Sequence, residues 1–141
     1  MAKLRHIALV VHDLDRATKF YETLFDMKRA FELKERVVYL TDGTMNLALI
    51  DYKTSNRPGA DTADGRHGLH HFGFRVADLK EAEAAIKAAG GTYCFDLGDP
   101  GGMNYERKFT DPEGILFDVS EKGWYGALDE PVAAAPARAA E

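Results

Sequence analysis

Only one cysteine, Cys94, occurs in the 141 residues. No intrachain disulfide can form and a site built on several thiolates is excluded, which fits a reducing compartment; a cytoplasmic location is the expectation. Long apolar runs are missing as well. The longest is Ile7-Ala8-Leu9-Val10-Val11, far short of the roughly 20 residues that a bilayer span needs, so neither a membrane helix nor a secretory h-region is expected. Positive charge is thin and scattered. Lys and Arg number 18 against 23 Asp and Glu, with no basic run longer than a pair, which argues against nucleic acid as a partner. A chain of this length suits one compact domain with a core of its own.

What the chain does contain is a repeat. Arg5-His6-Ile7-Ala8-Leu9-Val10-Val11-His12-Asp13-Leu14 lines up with His70-His71-Phe72-Gly73-Phe74-Arg75-Val76-Ala77-Asp78-Leu79 after a shift of 65 positions. His6 then falls on His71, Val11 on Val76, and Asp13-Leu14 on Asp78-Leu79. Both stretches alternate like strands and switch to a helical period at the aspartate. Leu14, Ala17, Phe20 and Leu24 define the first helix; Leu79, Ala82, Ile86 and Ala89 define the second. Asp13 and Asp78 are N-cap candidates, Asp78-Leu79-Lys80-Glu81 reads as a capping box, and Gly90-Gly91 ends the second helix. Three short extended runs follow each helix, about 28–33, 36–41 and 45–51 in the first copy and about 92–97, 105–110 and 115–121 in the second. Asp42-Gly43, Gly98-Asp99-Pro100-Gly101-Gly102 and Asp111-Pro112-Glu113-Gly114 supply the turns. The fold class is therefore α+β, two βαβββ modules at about 3–51 and 69–122 within a domain of about 1–126. A linker is expected over about 52–68, and an Ala- and Pro-rich, flexible tail over 127–141.

Strand alternation decides which side chains share a face. Ile7, Leu9 and Val11 form the apolar face that meets a helix, which sends His6, Ala8 and Val10 to the other side. Phe72, Phe74 and Val76 do the same for His71, Gly73 and Arg75. Ile115, Phe117 and Val119 pack inward and leave Leu116, Asp118 and Ser120 opposite. Two imidazoles and a carboxylate thus share the uncovered side, which a curved sheet of two such halves turns into a cup. Two histidines and one carboxylate form a facial triad for a divalent ion, with positions left open for water and substrate. His6, His71 and Asp118 are the metal candidates. Arg75 and Lys108 are candidates for substrate binding, and Glu106 also faces the cup. Tyr105 has the opposite parity and is assigned to the core. His70 points to the helix side as a structural histidine, His12 sits at a strand–helix junction, and His67 lies in the linker. Trp124 and Tyr125 are read as packing of the C-terminal segment.

Together, His6-Ile7-Ala8-Leu9-Val10-Val11-His12-Asp13-Leu14 with Phe20-Tyr21, His71-Phe72-Gly73-Phe74-Arg75-Val76, and Phe109-Thr110-Asp111-Pro112-Glu113-Gly114 resemble the motifs of the vicinal oxygen chelate superfamily. That superfamily includes glyoxalase I, extradiol dioxygenases, fosfomycin-modifying thiol transferases, methylmalonyl-CoA epimerase and bleomycin-binding proteins. In element order the resemblance spans most of the chain. It implies paired βαβββ modules forming a curved, cup-like mixed sheet, with one divalent metal ion (Fe, Mn, Zn or Ni) at the positions of His6, His71 and Asp118. One departure stands out: the superfamily usually has Glu where this chain has Asp118. Glu121 is a fallback whose parity turns it toward the helices.

The resemblance implies an enzyme chelating a small oxygenated organic substrate, a lyase, transferase or dioxygenase, and leaves the reaction open. Glyoxalase I draws a carboxylate from each module, and the epimerases use two opposed carboxylates. The run Met45-Asn46-Leu47-Ala48-Leu49-Ile50 offers none at that place, which counts against both. Extradiol dioxygenases need a further histidine near the substrate, and none follows His71. The thiol transferases match the ligand set and take it from two chains, so a homodimer is expected. A metal-free cup that sequesters a small molecule, as in the bleomycin-binding members, is the alternative; the histidine pair argues against it.

Overall fold

Both helices begin where the chain supplies an aspartate to cap them. The computed structural model describes residues 2–54 and 68–127. Its elements are β1 (Lys3–Val11), α1 (Leu14–Phe25), β2 (Lys28–Leu33), β3 (Val37–Thr41), β4 (Asn46–Asp51), a single 3₁₀ turn (Tyr52–Thr54), β5 (Gly68–Arg75), α2 (Leu79–Ala88), β6 (Thr92–Leu97), β7 (Glu106–Thr110) and β8 (Leu116–Ser120). Asp13 accepts from the backbone N of Arg16 at 2.9 Å and Asp78 from that of Glu81 at 2.8 Å. Each bond satisfies an amide that the first helical turn leaves without a partner. Gly90, at φ 94°, stops α2 in the left-handed region that side chains resist. No helix among the described residues is long and apolar enough to cross a membrane. The expected linker falls largely on 55–67 and the expected tail on 128–141, which lie outside the described residues.

The eight strands form one mixed sheet in the order β2-β3-β4-β1-β5-β8-β7-β6. In each half the first strand runs parallel to the last, β1 with β4 and β5 with β8, while β1 and β5 join the halves antiparallel. Read outward from that seam, the two halves have the same order, so the paired βαβββ architecture and its curved sheet are present. Each half also has its own core. Leu14 of α1 packs with Val38, Leu40 and Leu49; Leu79 of α2 packs with Tyr105, Phe109 and Val119. Both cores lie on the helix-covered face, which leaves the opposite face free to build a site.

Two expectations about packing need correction. Phe20 and Leu24, assigned to the buried stripe of α1, are 54% and 60% exposed. The packed stripe runs through Leu14, Ala17, Thr18 and Tyr21. At 100° per residue Phe20 lies about 120° round the helix from Leu14, and Leu24 belongs to the last turn. Ile115 is 51% exposed because β8 begins one residue later, leaving Ile115 in the preceding turn.

Candidate metal centre

Strand pairing sets one row of residues across the sheet. Asn46 on β4 lies opposite His6 on β1, His6 opposite Gly73 on β5, Gly73 opposite Asp118 on β8, and Asp118 opposite Lys108 on β7. His71 enters from the adjacent cup-side position, opposite Ala8. Neighbouring strands stand about 4.8 Å apart, so the polar side chains of this row are driven together. His6, Asn46, His71, Glu106, Lys108 and Asp118 are all buried. Nε2 of His6 lies 3.1 Å from Nε2 of His71, which is 3.0 Å from Oδ2 of Asp118. Ligand atoms of His6, His71, Glu106 and Asp118 all fall within 4.8 Å of one another. All four residues belong to the same chain.

Hydrogen bonds decide which nitrogen of His6 faces the centre. Nδ2 of Asn46 donates to the carbonyl of Tyr125 at 2.8 Å, leaving Oδ1 to accept from Nδ1 of His6 at 2.6 Å. Nε2 therefore keeps a lone pair aimed at His71 and the carboxylates, the arrangement that orients a ligating imidazole. Trp124 stacks on the His6 ring with centroids 4.6 Å apart and planes 8° from parallel, and its Nε1 donates to Glu106 at 2.6 Å. Gly73 makes that stacking possible, since a Cβ there would stand 2.7 Å from the indole. Burial, then the neighbouring His71, lowers His6 to about 4. Burial, then the Lys108 ammonium, holds His71 well below its ordinary value. Both rings are neutral at neutral pH, the form in which imidazole binds a metal.

Lys108 closes the far side. Its Nζ lies 2.8 Å from each oxygen of Asp118 and 2.9 Å from Oε1 of Glu106. Burial by itself would lower this ammonium, but the attraction of Glu106 and Asp118 outweighs it and raises the group above its usual value. His6, His71, Glu106 and Lys108 line a cavity of about 330 Å³ whose other walls are largely apolar, among them Phe31, Leu33, Val37, Ile50, Phe95 and Leu97. Tyr39 also lines it, edge-on to His6. Burial, then Glu106 and Asp118, pushes the Tyr39 phenol above its usual range, so it remains a neutral donor.

Three placements differ from the sequence reading. His70, assigned to the helix side, lines the cavity, with Nδ1 at 2.6 Å from Nδ1 of His71. The pairing of β1 with β5 steps from Ala8–His71 to Leu9–Leu69, so His70 is the extra residue of a bulge and escapes the alternation. Arg75, a candidate for substrate contact, is not among the lining residues; its Nε donates to the carbonyl of Glu121 at 3.3 Å. Trp124 packs, as expected, but onto the site itself. Asn46 went unremarked in the sequence, although an amide inside a buried apolar strand always needs a hydrogen-bond partner.

The profile of the Glyoxalase/Bleomycin resistance protein/Dioxygenase superfamily matches residues 3–119. The chain belongs to that superfamily. Among curated relatives, a probable chloroplastic lactoylglutathione lyase of Arabidopsis thaliana is 30% identical over 127 residues, covering 86% of this chain and 36% of the relative. A putative lactoylglutathione lyase of Brassica oleracea is 28% identical, over 84% of this chain and 44% of its own length. The chain thus spans less than half the length of these relatives. Among solved structures, the methylmalonyl-CoA epimerase of Streptomyces coelicolor, in complex with 2-nitronate-propionyl-CoA, superposes with a TM-score of 0.67 at 22% identity, over 83% of this chain and 92% of that one.

As a superfamily member the chain presents a donor set that suits a divalent ion: two neutral imidazoles, that of His6 with its lone pair inward, and two carboxylates sharing a single ammonium. Two carboxylates against one ammonium leave a negative field in a buried place, which attracts a cation. Ala48, paired with Ala8 as Asp118 is with Gly73, carries no ligand; the second carboxylate comes from β7 of the same half.

Proposed function

We propose that this chain is a metal-dependent enzyme of the glyoxalase/dioxygenase type, holding one divalent ion through His6, His71 and Asp118 and chelating a small oxygenated organic substrate. The observation that carries the reading is the convergence of two neutral imidazoles and a carboxylate, 3.1 and 3.0 Å apart, beside a cavity. A divalent ion bound there supplies a Lewis acid for developing negative charge on substrate oxygen. The chain's own groups do the rest. Phe31, Phe95 and Leu97 exclude water and favour a substrate with an apolar body, and the Tyr39 phenol stands ready to donate to an oxygen in the cavity. The names of the relatives, lactoylglutathione lyases, support a lyase. The apolar Ala48, where the resemblance implies a second module's ligand, supports a reaction that runs without an opposed carboxylate pair.

One observation favours the other reading, a metal-free binding cup: the ammonium of Lys108 already lies 2.8 Å from both oxygens of Asp118. Metal analysis of protein purified after metal-supplemented growth separates the two. The enzyme reading expects about one ion per chain; less than about 0.1 ion per chain sinks it.

A further inference from the structure

Among the described residues Lys108 is the buried cation of the site, and the sheet puts it there. It faces Asp118 directly across the antiparallel pair β7–β8, so the contact is a property of the register rather than of a mobile side chain. Its ammonium takes both oxygens of Asp118 at 2.8 Å and Oε1 of Glu106 at 2.9 Å. Lys108 lines the cavity, whereas Asp118 does not. A metal ion bound to a carboxylate sits about 2.0–2.2 Å from its oxygen, so beside an ammonium that already holds both oxygens the two cations repel at close range and compete for the same carboxylate. Glu106 is fixed independently, because Nε1 of Trp124 holds its other oxygen at 2.6 Å. A carboxylate therefore stays in place to receive the ammonium once Asp118 is taken.

We propose, building on the metal reading above, that Lys108 is a built-in competitor for the metal: its ammonium is the resident cation of the metal-free site, and a divalent ion enters by displacing it from Asp118. Buried carboxylates need a counter-charge, and Lys108 supplies one in the absence of metal. The metal-free chain thus keeps its fold, at the expense of metal affinity. Ions that lean on oxygen ligands lose most by the competition, while ions that prefer imidazole still have His6 and His71.

Zn²⁺ affinity is measured by competition with a chromophoric chelator for the wild type and for Lys108→Met, and the same two proteins are melted after EDTA treatment with and without Zn²⁺. Lys108→Met is expected to bind Zn²⁺ about 10- to 100-fold more tightly, to melt lower than wild type without metal, and to gain more from Zn²⁺. If wild type binds Zn²⁺ and Lys108→Met binds no tighter, the competition is refuted while the metal centre stands. Tight binding by the variant alone upholds the competition and removes metal dependence from the native chain. If neither binds, both fall. A variant that does not fold leaves the decision to wild-type protein labelled with ¹⁵Nζ-lysine. An exchange-protected ammonium signal from Lys108 that shifts or vanishes with one equivalent of Zn²⁺ supports displacement; a signal that Zn²⁺ leaves unchanged refutes it.

Discussion

The two halves of the sheet share a scaffold and divide the work. Register makes the correspondence explicit: Tyr39 pairs with Ala48 on β3–β4 as Lys108 pairs with Asp118 on β7–β8, and Phe31 faces Tyr39 as Phe95 faces Lys108. Facing the cavity, the first half offers Phe31, Val37, Tyr39 and Ala48, and the second offers Phe95, Glu106 and Lys108 with Asp118 behind them. The seam histidines, His6 and His71, are alike, and so are Phe31 and Phe95; the positions between them differ. Among the described residues the buried carboxylates and the buried ammonium thus all belong to the second half, whereas the first half's ionic side chain in the cavity lining is the exposed Arg36. A duplicated fold need not make a symmetric site: period-2 alternation preserves which positions face inward and says nothing about their chemistry.

The largest effect is expected from making the second half copy the first at its key position. Asp118→Ala reproduces what Ala48 already is. It removes one of the proposed ligands and strips the buried ammonium of two of its contacts. Bound metal should fall below about 0.1 ion per chain, and the urea midpoint should drop by the equivalent of about 3 kcal/mol, as for a broken buried ion pair. Metal retained at wild-type stoichiometry would show that the charged half is not where the ion is held.

Next in size is the pH response of the shared histidines. His6 is lowered to about 4 by burial and then by His71, and His71 is depressed by burial and then by Lys108. Between pH 4 and 6.5 the unfolded chain binds protons that the folded chain refuses, so stability of metal-free protein rises with pH there and is lost as pH falls. For His6 the loss is about 2 kcal/mol by pH 5, and His71 acts in the same direction. Urea titrations in EDTA at pH 7 and pH 5 measure it. Equal midpoints would mean that these rings are not buried neutral.

How far could this have been read from the chain itself? His6, His71 and Asp118 were legible as one face because alternation allows only two choices once the helix side is known. The repeat made the choice consistent in both halves. His70 was not, because a bulge adds a residue that no periodicity announces. Trp124 was not, because the chain's course after β8 is set by what it covers: the room over Gly73 and the carboxylate of Glu106. The ion pairs of Lys108 depend on register, and strand patterns give parity without register.

The smallest expected effect comes from the reverse exchange, making the first half copy the second. In the pairing of β1 with β4 His6 faces Asn46; β5 and β8, with Phe72 opposite Phe117, put Leu116 at the corresponding place beside His71. Asn46→Leu therefore writes the second half's residue into the first. Two hydrogen bonds go, at 2.6 Å to His6 and 2.8 Å to the Tyr125 carbonyl, and with them the partner that fixes which ring nitrogen of His6 carries its proton. Metal affinity should fall about 10-fold, at the low end for an outer partner of a ligating histidine, while one ion per chain still binds at saturation. Chelator competition reads the first quantity and metal analysis the second. An unchanged affinity would mean that Trp124 stacking alone orients the ring, and the asymmetry between Asn46 and Leu116 would then have no bearing on the ion.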